Sequence, residues 1–304
     1  MTIPILLDCD PGHDDAIALL LALASPELEL LGVTTVHGNQ TLDKTTDNAL
    51  RVLELAGRAD VAVARGADRP LLREPHVAAH VHGESGLDGP ELPAATTQPV
   101  AQHAVEFMAE RIVPGTVLVP IGPLTNVALY LAEHGTENLE RIVLMGGAIA
   151  EGNMTPAAEF NIWADPEAAQ RVFHSGVPVT MIGLDVTHKA LLTPALAEQF
   201  RAAGRVGTFV AELVEFFKQY HARTYGWDGA PVHDAVALAQ AFRPDLVHTR
   251  QLNVEVETGS DLCRGRTVVD LWSRTDRPAN ADVGVDIDAD AFFELLLDRI
   301  AGLG

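Results

Sequence analysis

Four carboxylates crowd into one short stretch near the start of the chain: Asp8, Asp10, Asp14 and Asp15, within DCDPGHDDA. Like charges this close raise one another's pKa, so a chain keeps them together where a cation neutralises them or where they point apart into water. Carboxylate-rich, oxygen-only ligation selects hard cations, Ca²⁺ or Mg²⁺. The competing account needs no metal. Pro11-Gly12 predicts a tight turn, and Asp14 and Asp15 would then sit at a helix N-terminus, where negative charge is favoured. Asp10, together with a further acid (Asp234) at the start of a later apolar helix, tips the balance toward a metal site.

Other groups have chemistry to offer. His233-Asp234 follows Gly229-Ala230-Pro231 and opens an apolar helical run. His82 begins HGESG in a long loop, where a histidine is an acid, a base, a ligand or simply solvated. Asn153, Glu159 and Asn161 combine amides with a carboxylate, which suits sugar hydroxyls; the same residue types also build turns and helix caps. The polar stretch Asp185 to Lys189 reads as a structural turn.

These residues need elements to position them. Apolar, partly β-branched runs predict strands at 3–7, 28–36, 61–64, 116–120, 141–145 and 177–182. Helical periodicity covers 16–24, 39–56, 100–111, 124–133 and 166–174. Residues 65–99 read as a long Gly-, Pro- and His-rich loop, of the kind that is usually functional or disordered. From 194 to 242 the pattern is helical with a break at 225–232; 251–287 is strand-rich, and 289–300 closes as a helix. This alternation predicts an α/β fold, an open and mostly parallel central sheet flanked by helices with a Rossmann-type core. No linker or repeat divides the chain, so one domain over 1–304 is expected. Ligands of such sheets bind beyond the carboxyl ends of the strands. The polar clusters lie at those exits, which predicts a single shared site.

Composition narrows the partners. With 21 Lys and Arg against 42 Asp and Glu, the net charge of −21 argues against nucleic acid and anionic membranes. The only cysteines, Cys9 and Cys263, indicate no disulfide framework. Without a secretory signal or an apolar run long enough to span a bilayer, a cytoplasmic protein is expected.

DCDPGHDDA, VHGNQT, HGESGLDG, IGPLTN, MGGA, EGN, AEFNI, DPEAA, GLDVTHKA and GAPVHDA occur in that order along nearly the whole chain. Together they resemble the inosine–uridine family of nucleoside hydrolases, metal-dependent N-ribosyl hydrolases. The resemblance implies Ca²⁺ held by Asp10, Asp15, Asp234 and the main-chain carbonyl of Ile121, with Asp10 taking the proton of the attacking water. It implies Asp14 at the ribose 2′-hydroxyl, Asn161 at the 2′/3′ edge, Glu159 and Asn153 on the 3′ and 5′ side, and Asn39 lining the sugar and metal site. His82 and His233 would face the base and help it leave. GAPVHD, AEFNI and FFKQYH are most similar to the pyrimidine-preferring branch. Phe217 and His221 stand where purine-tolerant relatives use tyrosines, and Tyr225 or Trp227 would stack on the base. A homo-oligomer, tetramer or dimer, is implied as well. The alternatives are a purine-tolerant hydrolase acting on inosine, an aspartyl phosphotransferase built on Asp8-Cys9-Asp10, and a non-catalytic nucleoside-binding protein. Scarce lysine argues against the phosphotransferase, and the full set of acids argues against a decayed site.

Overall fold

Ile5, Leu6 and Leu7 are fully buried, and they alternate between the two apolar clusters that sandwich the sheet, Ile5 and Leu7 on one side and Leu6 on the other. This is the pattern of a parallel strand covered on both faces. The strand, β1 (Ile3–Cys9), lies inside a nine-stranded sheet in the computed structural model, which describes residues 2–304. The other strands are β2 (Leu28–Thr35), β3 (Val63–Arg65), β4 (Val100–His103), β5 (Thr116–Pro120), β6 (Leu139–Met145), β7 (Val179–Ile182) and two late ones, Val247–Leu252 and Ala281–Ile287. Across the sheet the order is Val247–Leu252, Ala281–Ile287, β7, β6, β5, β1, β2, β3, β4. Every pairing is parallel except the outermost, where Val247–Leu252 runs antiparallel to its neighbour. The expected mostly parallel α/β sheet is therefore the observed one.

Three local expectations change. Residues 100–111 are not one helix: β4 pairs with β3, and the helix Ala104–Arg111 starts only after His103, whose Nδ1 accepts from Val105 N at 3.3 Å. Sheet pairing overrides local helical pattern there. The helix expected from residue 39 is α2 (Leu42–Leu55) in the structure, because Gly38 to Gln40 make the turn after β2. The long loop carries a single helical turn, α3 (Ala79–His82).

One packing contact matters most for function. α1 (His13–Ala24) is apolar nearly all round, with Ala16 to Leu21 almost fully buried. It packs against the equally apolar helix His233–Phe242. Each helix carries acids at its N-terminus, so their packing brings Asp14 and Asp15 to Asp234. Among the described residues no helix is long and apolar enough to cross a membrane.

Candidate active site

β1 ends in Asp8-Cys9-Asp10 and hands over to α1 through Pro11-Gly12. Asp15 closes this turn, its Oδ1 accepting from Asp10 N and its Oδ2 from Gly12 N, both at 3.0 Å. Asn39 Nδ2 also donates to Asp15 Oδ2 at 3.0 Å, and Asn39 N donates to Asp10 Oδ2 at 2.6 Å. The helix-cap account of these acids is therefore correct for Asp15, and it is incomplete. Asp10 Oδ1 is buried with no hydrogen-bond partner, an arrangement that is costly unless something positive meets it. Two glycines make room for this carboxylate: a Cβ on Gly38 would lie 2.0 Å from Asp10 Oδ2, and one on Gly122 would lie 2.4 Å from Oδ1.

Asp14, Asp15 and Asp234 each offer an oxygen within 4.8 Å of the others. Burial, reinforced by repulsion from neighbouring carboxylates, pushes Asp10, Asp14 and Asp234 well above the usual carboxylate range. Asp15 is raised too, by burial, against the hydrogen bonds it accepts. This grouping differs from the expected ligand set. Asp14, which the resemblance places at the sugar, is within the group, and Asp10 is not, its Oδ2 accepting from the Asn39 amide. Oxygen-only donors with excess negative charge and an orphaned carboxylate oxygen fit a hard divalent cation.

Asp14 and Asp234 line a cavity of about 670 Å³, its open mouth included, while Asp10 and Asp15 are not among its lining residues. Asn39, Asn153, Glu159 and Asn161 line the same cavity. Asn161 Nδ2 donates to the carbonyls of Ile121 (2.9 Å) and Met145 (3.2 Å). The Ile121 carbonyl expected to face a cation thus already accepts one hydrogen bond, with its second lone pair available. Glu159 caps the helix Phe160–Ala164 and accepts from the amides of Asn161, Gly147 and Ile162. Burial nevertheless pushes its carboxyl up to about 7. Asn153 Oδ1 accepts from Phe160 N at 2.9 Å. The cap and turn roles weighed for these residues are real, and the same side chains border the cavity.

The rest of the lining is rich in aromatic and imidazole rings, with His82, His233, His221, Phe217 and Tyr225 all on the cavity. His221 meets Phe217 edge-on at 4.5 Å. Trp227 corrects the expectation: it does not line the cavity but stacks behind Tyr225, centroids 4.4 Å apart. No Lys or Arg lines the cavity among the described residues, which removes the phosphate-binding groups a phosphotransferase needs. Asp8, the would-be phosphotransferase nucleophile, is fully buried and accepts from Thr34 Oγ1 and Asn126 Nδ2; burial pushes it up to about 7.

The inosine-uridine preferring nucleoside hydrolase profile matches residues 5–294. The chain belongs to that family. Pyrimidine-specific ribonucleoside hydrolase RihA of Shewanella sp. (strain MR-7) is 55% identical over 99% of this chain and 97% of its own length. The protein of the same name from Shigella boydii serotype 4 (strain Sb227) is 52% identical over 99% of both. The solved structure of a purine-preferring ribonucleoside hydrolase from Gardnerella vaginalis superposes with a TM-score of 0.92 at 36% identity, covering 99% of this chain and 98% of that one.

In this nucleoside hydrolase two neighbours of the site escape a reading of residue types. Thr187 Oγ1 lies 2.7 Å from His233 Nδ1, which leaves His233 Nε2 as the nitrogen without a protein partner. His188, from the same polar turn, lines the cavity with its ring 5.6 Å from that of His233. The turn 185–189 is therefore more than structural. Its signal was visible, since it is polar and follows a strand exit. Replacing the hydroxyl in Thr187→Val is expected to lower kcat about 5- to 10-fold with KM nearly unchanged, the worth of one hydrogen bond to a ring whose orientation matters. A comparison of steady-state constants checks this; a rise confined to KM speaks against it.

Proposed function

We propose that the hydrolase cleaves the N-glycosidic bond of pyrimidine ribonucleosides, uridine and cytidine, with Ca²⁺ held at the acid cluster. The observation that carries this reading is the Asp14, Asp15 and Asp234 group, with the orphaned Asp10 Oδ1 near Asp14 and Asp15, at a cavity that two histidines also line. Asp10, Asp15, Asp234 and the Ile121 carbonyl would hold the cation, and Asp14 would reach from the cluster to the ribose 2′-hydroxyl. When bound, a divalent cation supplies Lewis-acid chemistry, easing deprotonation of water and gripping sugar hydroxyls.

The chain's own residues account for the rest. Asp10 Oδ1 has a free lone pair to take a proton from the attacking water. Asn161, Glu159 and Asn153 orient the sugar, which converts attack at C1′ into a nearly unimolecular event. As the C1′–N bond breaks, its electron pair leaves with the base and positive charge develops at C1′, as in glycoside hydrolysis; the carboxylates stabilise that charge. The base accepts a proton from an imidazole, His233 or His82. His221 and Tyr225 enclose the base.

The names of the 52–55% identical relatives support pyrimidine preference. The Gardnerella neighbour keeps a purine-tolerant reading open as an outcome. We read the chain as one cytoplasmic domain that assembles with copies of itself; its two free cysteines fit a reducing compartment. The deciding experiment compares kcat/KM for uridine, cytidine, inosine and adenosine, with chelator and after Ca²⁺ is restored. A preference of about tenfold or more for pyrimidines is expected, with turnover lost in chelator and regained with Ca²⁺. Equal use of inosine would overturn the base assignment, and full turnover after exhaustive chelation would overturn the metal.

A further inference from the structure

We propose that His13, between the Pro11-Gly12 turn and the two acids, is a positioning residue that holds His82 with Nε2 toward the cavity. The proposal rests on the reading of His82 as a group that meets the leaving base.

His82 ends a single helical turn on a long loop, so α3 alone cannot hold its ring to the tolerance that proton transfer needs. The fixing contacts come from the DPGH turn. His13 N donates to His82 Nδ1 at 3.2 Å, and the two rings stack with centroids 5.3 Å apart; His13 Nδ1, 3.1 Å from the same atom, makes no hydrogen bond to it, because the His13 proton is on Nε2. His13 Nε2 lies 2.8 Å from the Asp88 carbonyl, an acceptor only, so this nitrogen carries a proton. Phe217 stacks on both imidazoles, with centroids 5.1 Å from each. A Cβ on Gly12 would lie 2.6 Å from His82 Nδ1. Gly12 has φ −102°, open to any residue; glycine is needed there for space.

A backbone N–H is a fixed donor. It makes His82 Nδ1 an acceptor and leaves the ring proton on Nε2. That nitrogen has no protein partner, and His82 borders the cavity. The loop beyond His82 is pinned as well. Gln40, Lys44 and Asn48, four residues apart, donate to the successive carbonyls of Gly83, Glu84 and Ser85. Asn48 also donates to the Pro11 carbonyl at 3.0 Å. The turn that arranges the acids therefore also seats the imidazole of His82 at the cavity.

The test uses two substrates. Uridine needs a proton on its leaving base, whereas 4-nitrophenyl β-D-ribofuranoside leaves as a stable phenolate without one. His13→Ala keeps the backbone donor but removes the ring that stacks on His82 and its bond to the Asp88 carbonyl, and is expected to lower kcat on uridine about 10-fold, the cost of a misplaced group. KM and turnover of the nitrophenyl riboside should stay within about threefold of wild type. The double variant His13→Ala/His82→Ala should be no slower on uridine than His82→Ala alone, because both act through one ring. If His13→Ala does not fold, His13→Phe keeps the stack, lacks both ring nitrogens and carries the same expectation. Equal loss on both substrates, or multiplicative loss in the double variant, would overturn the positioning role while leaving that of His82 intact. Full uridine turnover in His82→Ala would instead overturn the reading of His82, and the proposal with it.

Discussion

Asp10→Ala is expected to lose about three orders of magnitude or more in turnover of uridine, the scale of removing a preorganised charged group from the reacting centre, while melting no lower than wild type in chelator. The two halves of this expectation share one cause. Asp10 is fully buried, with the carboxylates of Asp15 and Asp14 near enough to repel its charge. Its burial without a counter-charge costs several kcal/mol on the order-of-magnitude scale for buried ions. Removing it strands the Asn39 amide, which donates to Oδ2; an unsatisfied buried donor costs about 1–3 kcal/mol. Relief of repulsion offsets that loss, so the metal-free variant is at least as stable. The wild type should gain the more from Ca²⁺, since a ligand at 100 times its Kd adds about 2.7 kcal/mol. Paired melting curves in chelator and in Ca²⁺, run beside the turnover assay, check the expectation. Turnover within tenfold of wild type, or an equal Ca²⁺-induced rise in Tm in the variant, would remove Asp10 from the cation site.

Much of this arrangement is legible in the sequence because its signals are local. Asp14, Asp15 and Asp234 all open apolar helices, and acids at helix starts are readable from order alone. Their meeting is not local. It depends on α1 packing against the helix His233–Phe242, and two apolar helices do not name their partners in sequence. The split between Asp10 and Asp14 is hidden for a related reason: it depends on the Asn39 amide, 29 positions away, and on the missing side chains of Gly38 and Gly122. Trp227 misled by its type, since a tryptophan near a base pocket suggests stacking. Gly226 is left-handed at φ 73° and turns the chain so that the indole backs Tyr225. β4 was hidden because four residues paired at a sheet edge leave no period of their own. His13 carried no signal beyond standing among acids; its role depends on α3, which comes 69 positions later.

His233→Ala is expected to lower kcat on uridine about 10²- to 10³-fold, within the range that a positioned general acid contributes, while KM and inhibition by free ribose change little. His233 opens its helix one residue before Asp234, so it is held by the same N-terminal turn that presents an acid to the cluster. Thr187 binds Nδ1 at 2.7 Å, which leaves Nε2 to the cavity. Burial, with the neighbouring histidines His188, His221 and His82, pushes the ring well below its usual pKa. That shift keeps the ring mostly neutral, and with Nδ1 taken by the Thr187 hydroxyl its Nε2 carries the proton it can offer to the leaving base. The proposed sugar contacts are other cavity residues, Asp14, Asn161 and Glu159, and the substitution leaves them in place. Measured on the nitrophenyl riboside, which needs no proton, His233→Ala should keep most of its rate; on uridine it should not. A rise in KM with kcat unchanged would show that His233 binds the base and does not protonate it, and His82, seated by His13 at the same cavity, would then be the remaining imidazole to supply the proton.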